Sequence, residues 1–286
     1  EVPRRFLTIL SKNENPPSFQ KGSGRLELAE AIASPGNALT ARVFVNRIWG
    51  ELFGTPLVTT TSNFGTLGTP PSHPELLDDL AVRFMESGWS VKWLMRELVL
   101  SSTYRQSSDF SGTKLEQDPD NLLFSRANRR RLDVEMWRDA IYSASGTLDL
   151  KVGGPSFNAS DPNANRRAVY ARISRLKLNP MLDLFDFPDP NLHSPGRYKS
   201  TTPLQKLFAV NNPLMVAQAE KFSARLHHDA PTENTRIQRA YQLLYARKAS
   251  DEERNLALNF LNTGDKDAWQ NYAQVLLASN EFLYLD

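Results

Sequence analysis

Apolar residues recur at helical spacing along most of the chain, and capping or turn residues mark the breaks between runs. Residues 25–34 place Leu28, Ala31 and Ile32 on one face and end near Ser34-Pro35-Gly36. Residues 39–53 align Ala41, Val45, Ile48, Trp49 and Leu52, with Gly54 at the C-cap. Ser72-His73-Pro74-Glu75 predicts a helix start: a cap serine, a proline in the first turn and a glutamate at N3. Leu76, Leu80 and Phe84 follow, and Gly88 stops that helix. Ser90 is placed to cap another over 91–106, with Leu94, Met95, Leu98 and Val99 inward. The short 87–90 link predicts an antiparallel helical hairpin.

Asp133 is placed to cap a helix running to Gly146, with Trp137, Ile141 and Ala144 inward. Residues 147–200 then turn rich in Pro, Asn, Gly and Asp. Within them the alternation of Val169, Ala171 and Ile173 predicts a strand at 168–175. So long an irregular stretch is often functional. Helices resume at 203–211, 213–226, 232–245, 250–262 and 266–280, with a capping box in Ser250-Asp-Glu-Glu253 and Asp265 as cap of the last. The polar, proline-containing residues 1–24 read as a linker or wrapped arm. The expected fold is mainly α: one helical domain over 25–286 with an irregular insertion at about 147–200 carrying a short strand or hairpin.

At 286 residues such a domain buries roughly three quarters of its unfolded surface. Apolar residues at 40% against 23% charged are an ordinary globular balance. There are no cysteines, which removes disulfides, thiolate nucleophiles and thioether-attached haem from this chain. No run of apolar residues is long enough to span a membrane. The first residue is Glu with no signal sequence after it, so the chain is expected to be a processed or excised piece of something longer.

Charge sharpens the picture at one place. The net charge is only +2, yet residues 126–206 hold 14 basic residues against 8 acidic ones. Arg126, Arg129, Arg130 and Arg131 fall within six positions, just ahead of the helix carrying Glu135, Asp139 and Tyr142 at i, i+4 and i+7. Two carboxylates four apart repel each other unless a cation lies between them. Three roles fit: a structural ion network suited to arginine's planar fork, an anion-binding or catalytic wall, or a nucleic-acid contact. The interleaved carboxylates weigh against the last, which needs an uninterrupted basic stripe.

Other candidates are weaker. His73, His193, His227 and His228 form no chelating pattern, the last two pointing to different sides of a helix, and no metal site is expected. Gly65-Thr-Leu-Gly-Thr-Pro-Pro71 matches no phosphate loop and reads as a shaped turn, with Thr60 and Asn63 before it as polar loop residues suited to a ligand. The polar run at 101–108 sets Tyr104 and Arg105 at a helix end, without the elbow or histidine of a serine nucleophile. Asp183, Asp186 and Asp189 are spaced as calcium ligands could be, but match no EF-hand loop.

Several blocks together carry a family resemblance: Arg25–Trp49, Thr60-Thr-Ser-Asn-Phe-Gly65, Pro70-Pro-Ser-His-Pro-Glu-Leu-Leu77, Ser87-Gly-Trp-Ser90, Leu100-Ser-Ser-Thr-Tyr-Arg-Gln-Ser107, Asn128-Arg-Arg-Arg-Leu-Asp133, Phe185-Asp-Phe-Pro-Asp-Pro-Asn191, Ser200-Thr-Thr-Pro-Leu-Gln205, Asn211-Asn-Pro213 and Leu277-Ala-Ser-Asn-Glu-Phe-Leu-Tyr284. They resemble the DUF1553 domain, the C-terminal part of large secreted planctomycete-type proteins that carry a cytochrome c-like domain. Thr201-Thr-Pro203 lacks the valine common before that proline, and Gly50 replaces a usual polar residue.

The resemblance implies context more than chemistry: an exported, extracytoplasmic parent with a helical partner domain upstream and haem c ahead of that, and no cofactor in this chain. It also puts Asn46, Arg47, Tyr104, Arg105, Arg129, Arg130, Arg131, Glu135 and Asp139 in the family's signature blocks. Two functions are therefore expected. In the first, Glu135, Asp139 and Tyr104 do acid–base chemistry on a polar extracellular substrate such as a carbohydrate. Asn46, Arg47, Asn63, Arg105, Arg129, Arg130 and Arg131 bind it. In the second, a structural or interaction domain docks the upstream domain or a partner chain and closes the same arginines into ion pairs.

Overall fold

A computed structural model describes residues 2–11, 15–109 and 112–285. The chain divides into two compact units, Glu1–Arg129 and Arg130–Leu285. The fold is mainly helical with one small antiparallel two-stranded sheet.

In the first unit α1 (Arg25–Ile32) precedes α2 (Ala38–Phe53), α3 (Pro74–Glu86), α4 (Val91–Val99) and the short α5 (Gly112–Gln117). The core gathers α2, α3 and α4 around Val45, Trp49, Leu80, Phe84 and Leu94, the inward stripes expected from periodicity. Gly54 closes α2 in the left-handed conformation at φ +81°, and Ser90 Oγ accepts from Trp93 N at the start of α4.

Three expectations fail here for local reasons. The face of α1 is not buried; Glu27 instead binds the amides of Gln20 and Lys21, while Asn37 and Thr40 take the Ile32 carbonyl. The N-cap of α3 is His73 rather than Ser72, whose hydroxyl turns to the His73 ring. The helix drawn over 91–106 stops at Val99, because Ser101 Oγ bonds the Leu98 carbonyl and then accepts from Tyr104 N, diverting the backbone into turns.

The second unit opens with β1 (Arg130–Arg131) and α6 (Val134–Ala144). It continues through an irregular segment holding α7 (Pro180–Leu184) and ends in α8 (Pro203–Asn211), α9 (Pro213–Asp229), α10 (Glu233–Tyr245), α11 (Asp251–Leu261), α12 (Ala268–Leu277), α13 (Asn280–Leu283) and β2 (Tyr284–Leu285). Its core runs from Trp137 and Ile141 through Met215, Phe222 and Ile237 to Leu277. Capping boxes start α8 at Thr202, α10 at Thr232 and α11 at Ser250.

The sheet is not where alternation placed it. Residues 168–170 form a 3₁₀ turn, Ala171 makes only a single bridge to Phe157, and Val169 and Ile173 stay exposed, so the alternation faces no sheet. The strands instead pair Arg130 with Leu285 and Arg131 with Tyr284. The last predicted helix, 266–280, is α12 and ends at Leu277; beyond it Ser279 Oγ accepts from Phe282 N and starts the separate α13. Asp265 holds the start of α12 from outside, accepting from Asp267 N and Asn271 Nδ2.

Candidate functional site

In the second unit the predicted charge cluster becomes a frame around α6. Pairing of β1 with β2 and the Leu132 N bond to the Leu283 carbonyl fix the backbone that carries Arg131. That side chain is 5% exposed. Its terminal nitrogens donate to Asp186 Oδ2 at 2.7 Å, to Gln205 Oε1 at 3.0 Å and to the Ser200 carbonyl. Asp186 also accepts from Ser200 N at 2.9 Å and Ser200 Oγ at 2.6 Å. Burial alone would raise its carboxyl, but the bonds from Ser200 and Arg131 outweigh that and hold it below the usual range.

One turn into α6, Arg138 is 1% exposed. It spends its guanidinium on the carbonyls of Ala159 (3.2 Å), Arg166 (2.8 Å) and Ala164, and lies over the rings of Tyr142 and Phe157. Burial lowers its pKa, countered by Tyr142 and Asp139, yet a guanidinium stays charged. It thus spools the irregular segment onto α6. Asp139 stands 3.6 Å from Arg138 and accepts from Ala168 N at 2.7 Å. Burial pushes its carboxyl above the usual value despite those partners. Glu135 is clasped at both oxygens by Arg197 at 2.7 Å. Asp133 sits at the N-cap of α6 without capping it, and faces Arg197 and Lys199 instead.

The remaining predicted residues are more dispersed. Arg130, half-buried, joins the sheet through its backbone. Asn46, Arg47, Asn63, Tyr104, Arg105 and Arg129 belong to the first unit. There Asn46 is wholly buried and gives both ends of its amide to Val58, donating to its carbonyl and accepting from its N–H. Asn63 shapes the 60–69 turn, in which a Cβ on Gly68 would collide with the Asn63 carbonyl. Tyr104 packs edge-on to Phe53, Arg129 Nε donates to Ser108 Oγ, and Arg47 and Arg105 are exposed. Arg126 caps the carbonyls of Asp118 and Pro119.

A cleft in the second unit was not anticipated. It encloses about 400 Å³ including its open mouth, and lies among β1, α6, α8 and the C-terminal segment. Arg131 and Trp137 line it with Gln205, Lys206, Ser279 and Tyr284, whereas Glu135 and Asp139 do not. Trp137 looked like a plain core position, and the residues from 279 onward carried no chemical signal of their own. The legible hint was the Thr202-Pro-Leu-Gln205 helix start. Among the described residues, no group of three or more acidic or histidine side chains is placed to hold a metal ion, and Asp189 is spent on the Asn191 turn.

No curated protein and no solved structure matches the chain. Residues 24–261 match the model of a protein family of unknown function, PSD1 (DUF1553), and the chain belongs to that family.

Proposed function

We propose that this chain is a non-catalytic interaction domain of a longer, exported protein. In this reading its arginine–carboxylate frame is architecture, and α8 is the docking face. The carrying observation is that the groups expected to form a catalytic wall are spent on one another and on backbone. Arg131 is closed on Asp186, Glu135 on Arg197, Arg138 on three carbonyls and Asp139 on Ala168 N. Groups so engaged have little freedom to grip a substrate, whereas they hold the irregular segment against α6.

α8 adds the surface. Leu204, Leu207 and Val210, at i, i+3 and i+6, are each more than half exposed, an apolar row of the kind that marks protein contacts. The family resemblance supplies its partner, an upstream helical domain of the same extracytoplasmic protein, with haem c in a further domain because this chain has no cysteine to carry it. Action on a carbohydrate or other polar substrate is the competing reading, and the raised Asp139 carboxyl is the observation in its favour.

The absence of cysteine makes the test clean. Leu204→Cys and Leu207→Cys are labelled with a maleimide in this chain and in the full-length gene product. Strong protection in the longer protein is expected; equal labelling rates in both would overturn the docking face.

A further inference from the structure

The irregular segment of the second unit makes a bend at 174–177, where Ser174 Oγ accepts from Lys177 N. Leu176 projects from that bend, 100% exposed, between the exposed Arg175 and Lys177. Arg172 and Ile173, just ahead of it, are exposed as well. The bend is tied down on both sides: Asn191 Nδ2 donates to the Arg175 carbonyl at 2.9 Å, and Arg172 N to the Phe157 carbonyl at 2.8 Å. A lone exposed leucine is ordinary. A wholly exposed one on an anchored bend, with a cation on either side, is a specific arrangement.

The surroundings have a definite sign. Residues 166–178 carry five cations, Arg166, Arg167, Arg172, Arg175 and Lys177, and no carboxylate. Arg166 is spent on the carbonyls of Gly153 and Pro155, and the charge of Arg167 is felt by Asp139. Arg172, Arg175 and Lys177 have no side-chain hydrogen bond or ion pair among the described residues. The acids near them in sequence are engaged in turns of their own. Asp161 accepts from Asn163 N, and Asp189 touches the bend through Asn191, whose side-chain amide bonds both Asp189 Oδ1 and the Arg175 carbonyl.

We infer that the 172–177 bend is a contact for an anionic lipid surface, with Leu176 entering the headgroup layer and Arg172, Arg175 and Lys177 on the lipid phosphates. A bilayer interface satisfies both halves of the arrangement at once: acidic headgroups attract the cations, and the acyl boundary takes up the leucine. A soluble polyanion such as a nucleic acid would answer the charges alone and leave Leu176 in water. The long stems of the three cations also cover apolar surface while their charged ends stay at headgroup level. This surface is separate from the apolar row of α8 and stands or falls independently of the docking role given to that helix.

The experiment is flotation of the full 286-residue chain with vesicles of phosphatidylcholine alone and with a third of that lipid replaced by phosphatidylglycerol. The chain should float with the anionic vesicles only, and less so as salt is raised. Leu176→Ser keeps every charge and should weaken binding about tenfold, the worth of one partly buried leucine. The double variant Arg175→Gln, Lys177→Gln should weaken it about twentyfold, at about fivefold for each charge near the surface. All three positions are exposed, so circular dichroism of these variants should match the parent. The chain has no cysteine, which lets an environment-sensitive dye be placed at Leu176→Cys, with Leu256→Cys on α11, 69% exposed, as the comparison. Anionic vesicles should brighten the dye at 176 and leave it unchanged at 256. Failure to float with anionic vesicles, or equal flotation with both lipids, would overturn the inference. So would an equal dye response at the two positions. Full affinity in Leu176→Ser would also overturn it, since binding by charge alone is the behaviour of a polyanion contact.

Discussion

Arg131 donates to Asp186 at 2.7 Å across 55 positions of sequence, joining the start of the second unit to the far end of its irregular segment. Both side chains are largely withdrawn from solvent, at 5% and 19% exposure. Removing one partner strands the other, which costs about 3–5 kcal/mol for a buried pair. Asp186→Leu and Arg131→Met should each lower the urea midpoint of the second unit. The double variant should recover part of the loss, since an apolar pair strands no charge. Additive losses in that cycle would show that the two residues act independently.

Asp139 separates architecture from chemistry. Its Oδ1 accepts from Ala168 N, and burial is the main reason its carboxyl is raised. Asp139→Asn keeps an acceptor and removes a charge that burial disfavours, so its stability at neutral pH should match or exceed that of the parent. Asp139→Ala orphans the Ala168 N–H and should cost about 1–3 kcal/mol. Thermal melts of the two variants give the order directly. A loss in Asp139→Asn equal to that in Asp139→Ala would mean that the charge itself holds the segment.

Asn46 makes a similar case in the first unit. Its amide bonds both the N–H and the carbonyl of Val58. Asn46→Leu keeps the volume and leaves both backbone groups unpaired, at about 1–3 kcal/mol for each group left unsatisfied. Near-ultraviolet circular dichroism, reporting Trp49 in the same core, should lose amplitude at a lower temperature. An unchanged melt would show that the Val58 backbone does not depend on Asn46.

Periodicity exposed the helices that bury a stripe: Leu80 and Phe84, or Trp137 and Ile141, had to face a core wherever that core lay. The boundary that failed most was decided by a single hydroxyl, Ser101 ending α4 early. A hydroxyl that bonds backbone in one place caps in another, and spacing alone does not tell which. Glu135 and Asp139 were visibly in need of cations, but Arg197 lies 62 positions from Glu135, and a pairing of that reach is not written in local pattern. The cleft was hidden for the opposite reason. Trp137 has the period of a core residue, and no local pattern marks it as a cleft wall.

Arg247 was not singled out from sequence, yet it grips more carboxylate than any residue of the expected wall. It donates to both oxygens of Glu253 and both of Glu281 at 2.6–2.8 Å, with Tyr241 and Tyr245 beneath it. These bonds, working against burial and aided by Ser250 N, hold Glu253 at about 2 against its usual 4.5. Between those values the unfolded chain binds the proton that the folded chain refuses. The contribution of Glu253 is therefore complete above about pH 4.5 and is lost as pH falls toward about 2. Asp186, also lowered, adds in the same direction; Asp139, raised, opposes it, since its penalty is relieved as the solution becomes acidic. In Arg247→Met, Glu253 returns toward its usual value and the acid limb flattens. Because Arg247 is 40% exposed, the loss at neutral pH should be only about 1 kcal/mol. Urea midpoints of the two proteins, measured from neutral pH downward, should differ by a steady amount above about pH 4.5 and converge toward about pH 2. Parallel curves across that range would show that Glu253 owes its low pKa to something other than Arg247.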